Sequence, residues 1–131
     1  MAIGLLLITH NEIGDALLKT AINTFGGECP LSAATLAVTN GSDPEQLRLH
    51  ARQLIGRLDS GMGVLVLTDI YGSTPGNIAT SLTDNCAVSV LAGVNLPMLL
   101  KIFNYSQLDL LSLMEKALHG GQESIIMCHL P

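Results

Sequence analysis

The chain has 131 residues, enough for one domain with its own core and no need of disulfides or metal. Hydrophobic residues make up 48% and charged residues 13%, which excludes disorder and asks for strands covered on both faces. A formal charge of −5, a pI near 5.1 and the lack of a Lys/Arg cluster exclude the electrostatic footprint of a nucleic-acid binder.

Met1 to Ile8 shows neither a basic leader nor a cleavage site, and no apolar run reaches the length of a membrane span. A soluble cytoplasmic protein without membrane insertion is expected. Cys29, Cys86 and Cys128 are odd in number and lack C-x-x-C spacing, which fits reduced, buried, structural thiols.

Ile3 to Thr9 is a short continuous apolar run that predicts a buried strand. Leu17, Leu18, Ala21, Ile22 and Phe25 then recur at helical spacing up to Gly26-Gly27. A second strand is predicted over Ala33 to Val38. Ser42-Asp43-Pro44-Glu45 next combines an N-cap, a proline at N1 and an acid in the first turn. The helix it opens carries Leu47, Ala51, Leu54, Ile55 and Leu58 as one stripe, with Arg48, Arg52 and Arg57 toward solvent. Val64 to Thr68 predicts a third strand, Pro75 to Leu82 a short helix and Ala87 to Ala92 a fourth strand.

Leu96 to Phe103 and Leu108 to Leu118 predict two more helices, the second opened by Ser106 with Asp109 and closed by Gly120-Gly121. Ser124 to His129 is expected to be a last strand. The alternation implies a doubly wound α/β fold, 1–131 as one domain, with a mainly parallel sheet of about five strands and helices on both faces.

In such folds ligands bind beyond the carboxyl ends of the strands, where the strand order reverses. The turn after the first strand, Thr9-His10-Asn11-Glu12, puts an imidazole there. The turn after the third, Thr68 to Asn77, puts the carboxylate of Asp69 there. If these strands are neighbours, Asp69 can accept a hydrogen bond from one ring nitrogen of His10 and leave the other as a nucleophile. Gly72-Ser73-Thr74 leads into the helix at Pro75, so backbone N–H groups and two hydroxyls can converge on an anion such as a phosphoryl group. Each piece alone has an ordinary structural reading: a satisfied histidine, a surface aspartate, a turn with a helix cap. Their coincidence at one sheet edge favours chemistry.

These residues also carry a resemblance. Thr9-His10 after a strand, Leu67-Thr68-Asp69-Ile70-Tyr71-Gly72-Ser73-Thr74-Pro75-Gly76-Asn77, and Ala92-Gly93-Val94-Asn95-Leu96-Pro97-Met98 resemble the enzyme IIA domain of the mannose-type phosphotransferase system. The resemblance spans essentially the whole chain. It implies a phosphotransferase whose His10 accepts phosphate from HPr and passes it to a histidine of a IIB domain, without a cofactor or metal. It implies that Asp69 partners the ring and that Ser73 and Thr74 hold phosphoryl oxygens. It further implies a homodimer, with the strand at Ser124 to His129 either exchanged between subunits or closing its own sheet. Two positions depart from the family pattern: Tyr71 stands where tryptophan is common, and Ser73 where a second glycine often lies. The chain stops at Pro131 without a fused IIB domain, so the expected acceptor is a separate IIB protein, or the role is regulatory.

Four rival readings fit less well. A receiver phosphorylated on Asp69 needs an acidic pair after the first strand to hold Mg²⁺, and that turn offers only Glu12. A hydrolase using Thr74 in Gly72-x-Thr74-x-Gly76 lacks, because of Pro75, the backbone N–H that such an elbow needs. His10 and Asp69 have no evident third ligand for a metal. A flavin or nucleotide site lacks a glycine-rich fingerprint, and aromatics are only 3%.

Overall fold

Residues 2–129 are described by the structure, a computed structural model. Four parallel strands, β1 (Gly4–His10), β2 (Ala33–Val38), β3 (Val64–Thr68) and β4 (Val88–Ala92), form one sheet in the order β2-β1-β3-β4. Between and after them come α1 (Ile13–Phe25), α2 (Pro44–Leu58), α3 (Thr74–Ser81), α4 (Leu96–Asn104) and α5 (Leu110–Glu123). The chain first winds from β1 outward to β2, then crosses back over β1 to β3 and on to β4. The order therefore reverses between β1 and β3, which lie side by side in register from Gly4↔Val64 to Ile8↔Thr68.

The two-residue period of a strand sorts its side chains to opposite faces. Leu5 and Leu7 join Leu65 and Leu67 on one face, beneath Ala21 of α1, Leu99, Ile102 and Phe103 of α4, and Leu113 and Ala117 of α5. Leu6, Ile8, Val64 and Val66 meet Ala51 and Ile55 of α2 and Ile78 and Ala79 of α3 on the other. Both faces are apolar because both are covered, which is why these strands read as continuous apolar runs.

Local chemistry sets most helix starts. Asp43 accepts from the Glu45 N–H with Pro44 at the first helical position, as its sequence predicts. Asn95 caps α4 through the Met98 N–H. The last helix departs from expectation at both ends. Its N-cap is Asp109, which accepts from the Ser112 N–H, and Ser106 lies outside it. It also runs on through Gly120-Gly121 to Glu123. A Cβ at Gly120 would sit 2.9 Å from Cβ of Lys101, and one at Gly121 would sit 2.9 Å from Cε of Met98. The glycines let α5 pack closely on α4 and do not terminate it.

Ser124 ends α5, and 125–129 form no regular structure, so the sheet has four strands instead of about five. β2 and β4 are both edge strands, and among the described residues the tail pairs with neither. The cysteines also differ from expectation. Cys29 is half-buried, while Cys86 and Cys128 are exposed, because both follow chain segments outside the core.

Candidate active site

β1 and β3 end together, and their two exits carry the chemistry. His10 is the last residue of β1, and Asp69 follows the last residue of β3. Nδ1 of His10 lies 2.8 Å from Oδ2 of Asp69, and the His10 backbone N–H donates to the same oxygen at 3.0 Å. Oδ1 accepts from the Asp69's own following amide, Ile70 N–H, at 3.1 Å. Burial pushes the Asp69 carboxyl up, but the hydrogen bonds from the His10 backbone and ring outweigh it and hold the group below its ordinary value of 3.8. An ionised carboxylate only accepts, so the shared proton belongs to Nδ1, and in the neutral ring this tautomer leaves the lone pair on Nε2.

Exposure divides the pair usefully. The His10 side chain is 40% exposed and that of Asp69 10%, so the carboxylate is walled in while the ring faces solvent. Asn11 follows with φ at 47°, a left-handed conformation that asparagine tolerates better than most residues. Its N–H donates to Val38 O of β2 at 2.9 Å, pinning the far side of the turn.

Gly72, Ser73 and Thr74 lie on the β3–α3 turn at this same edge. The Ser73 hydroxyl is committed within the turn: it donates to Ile70 O at 2.6 Å and accepts from the Gly76 N–H at 3.3 Å, capping α3. Thr74 opens α3 and is exposed. Gly76 has a steric reason to be glycine, since a Cβ there would lie 2.5 Å from Ile70 O. The structure thus joins His10 to Asp69 directly and brings Gly72, Ser73 and Thr74 to the neighbouring turn, with Ser73 acting as a helix cap.

Sequence reasoning missed the other half of the His10 support. Thr9, buried, accepts from the Gly14 N–H at 2.8 Å, and its hydroxyl donates to His10 O at 3.3 Å. No composition or spacing rule flags a threonine five residues before its partner amide. Among the described residues, no group of three or more His, Cys, Asp or Glu side chains could hold a metal ion, and no helix is long and apolar enough to cross a membrane.

The PTS system fructose IIA component family matches residues 4–127. The chain belongs to this family. It is 32% identical over 102 residues to the PTS system mannose-specific EIIAB component of Escherichia coli (strain K12), covering 77% of this chain but only 31% of that protein. The chain thus spans about a third of the length of such two-part relatives. It is 30% identical over 128 residues to the PTS system fructose-specific EIIA component of Bacillus subtilis (strain 168), covering 96% of this chain and 86% of that one. In fold it is similar to a mannose/sorbose specific IIA subunit of a phosphotransferase system from Enterococcus faecalis, with TM-score 0.87, 23% identity and coverage of 100% and 98%. The family is the one that the motifs around His10 and Asp69 resembled.

Proposed function

We propose that this IIA component is a histidine phosphocarrier that takes a phosphoryl group from phospho-HPr on Nε2 of His10 and gives it to a histidine of a IIB protein. The observation that carries the reading is the 2.8 Å contact of His10 Nδ1 with Asp69, on a side chain that is itself 40% exposed. The Nε2 lone pair attacks phosphorus as the phosphorus–nitrogen bond of the donor phosphohistidine breaks, and the donor ring leaves with that bond's electron pair. Positive charge then develops on the His10 ring, and the Asp69 carboxylate stabilises it through Nδ1–H. Transfer to the acceptor is the same displacement run outward. Catalysis is positioning plus charge stabilisation, so no cofactor is required.

The open ring suits a partner that must reach it with its own histidine. Ile13 at the start of α1 and Ile70 and Tyr71 on the turn after β3 stand exposed, a surface fitted to transient docking. Thr74, exposed at the start of α3, is the hydroxyl suited to hold a phosphoryl oxygen; Gly72 leaves the turn's backbone open, and Ser73 contributes by fixing the helix start. On this reading the chain works in the cytoplasm as a single phosphocarrier domain, in sugar uptake or in a regulatory relay. We further propose a homodimer. Its support is the edge of β4, unpaired among the described residues, together with Ile125, Ile126 and Met127, which are 80%, 67% and 84% exposed.

The test is incubation with enzyme I, HPr and phosphoenolpyruvate, followed by intact-mass analysis of wild type and His10→Ala. One acid-labile phosphate on wild type and none on His10→Ala is the expected result. Equal label on both would overturn the assignment of His10.

A further inference from the structure

We propose that Thr9 is a positioning residue for His10, a buried clip that fixes the turn on which the imidazole stands. The inference rests on the reading of His10 as the phosphorylated nucleophile, and it comes from an anomaly at the start of α1. Four helices carry an N-cap side chain of the usual kind: Asp43, Ser73, Asn95 and Asp109 each accept a hydrogen bond from an amide of the first turn. Glu12, at the same position of α1, makes no such bond. The missing acceptor comes from outside the helix, from a residue of β1.

Thr9 and His10 are adjacent in a strand and so face opposite sides of the sheet. Thr9 turns toward α1, where its hydroxyl oxygen accepts from the Gly14 N–H at 2.8 Å in a fully buried setting. The same hydroxyl donates to His10 O at 3.3 Å. One side chain thus ties the helix start to the carbonyl of the catalytic residue. Gly14 is fitted to this contact, since a Cβ there would lie 3.0 Å from Thr9 Oγ1 and 3.3 Å from Thr9 Cγ2.

The clip completes a three-point mount. The His10 N–H is held by Asp69, the Asn11 N–H by Val38 O, and the His10 carbonyl and α1 by Thr9. The residue between these points, Asn11, has φ of 47° and gains little local preference from its conformation. Remove the hydroxyl and the Gly14 N–H is left buried without a partner, so the turn relaxes to reach water. His10 moves with it, and its ring loses alignment with Asp69. In-line phosphoryl transfer is sensitive to displacements of about 1 Å, which cost on the order of a hundredfold in rate.

Thr9→Val keeps the shape and deletes the hydroxyl, Thr9→Ser keeps the hydroxyl, and Gly14→Ala leaves the hydroxyl but crowds it. Each is compared with wild type and with Ile55→Val, a core change on α2 that lowers Tm without touching the turn. The expected result for Thr9→Val is a kcat for phosphorylation by phospho-HPr lowered about tenfold with KM for phospho-HPr little changed. Nitrogen-15 NMR should show loss of the single Nδ1–H tautomer of His10. Thr9→Ser should restore both readouts, Gly14→Ala should fall between, and Ile55→Val should change Tm alone. A Thr9→Val protein with wild-type kcat and tautomer would overturn the proposal. Should Thr9→Val not fold, Gly14→Ala decides in the same way, a wild-type kcat and tautomer overturning it. If wild type takes no phosphate on His10, the phosphocarrier reading fails, while the tautomer measurement still tests the clip.

Discussion

Asp69 meets His10 twice through one oxygen, at the ring and at the backbone, so its loss removes charge and alignment together. Asp69→Asn leaves a similar shape that can still accept a hydrogen bond but cannot balance the positive ring. We expect phosphorylation of His10 to slow on the order of a hundredfold with the fold intact, measured as single-turnover transfer from phospho-HPr beside a circular dichroism spectrum. The same carboxylate has a pH signature. Its folded pKa lies below the ordinary 3.8, so the stability it contributes is fully present above that value and is lost as pH falls through the lower folded value. Wild type should therefore exceed Asp69→Asn in stability near neutral pH, and the gap should narrow in acid below about pH 4. Urea melts across pH would reveal a constant gap if the carboxylate were unlinked to folding. The sequence pointed to this pair because a histidine and an aspartate each close an apolar run. It could not show that Asp69 also takes the backbone N–H of His10, which depends on two strands ending side by side.

α3 illustrates how an element can be legible while its parts change role. Gly72-Ser73-Thr74-Pro75 signalled a helix start, and Thr74–Ser81 is helical. The signal left open whether the Ser73 hydroxyl would serve an anion or the helix, and the turn back to Ile70 O commits it to the helix. Ser73→Ala should cost about 1 kcal/mol in denaturant melts. Gly76→Ala should cost about 1–3 kcal/mol, because its methyl would press on the Ile70 backbone carbonyl and on Ser73 Oγ. If Gly76→Ala proved neutral, the close approach of turn and helix would carry no energy. In α5 a pair of glycines looked like a stop, since glycine is the common residue after a helix. Their function is lateral, making room for Lys101 and Met98 of α4, and a one-dimensional pattern does not distinguish a cap from a close approach.

For the whole molecule, the exposed Ile125, Ile126 and Met127 and the edge strand β4 make the proposed dimer testable. Ile126→Asp should convert dimer to monomer by light scattering, with the circular dichroism spectrum unchanged; a dimer unaffected by the change would move the interface elsewhere. Strand positions, the α/β class and the neighbourhood of His10 were readable because apolar runs, capping residues and glycine-rich turns act over a few residues and leave their mark in order along the chain. The strands β2 and β3 match their predicted bounds for that reason. Strand neighbours, the clip from Thr9 to Gly14, the closeness of α4 to α5 and the absence of a fifth strand among the described residues came from the packed structure. Those features join residues whose meeting depends on which surfaces are buried together, and burial is settled by all the elements at once.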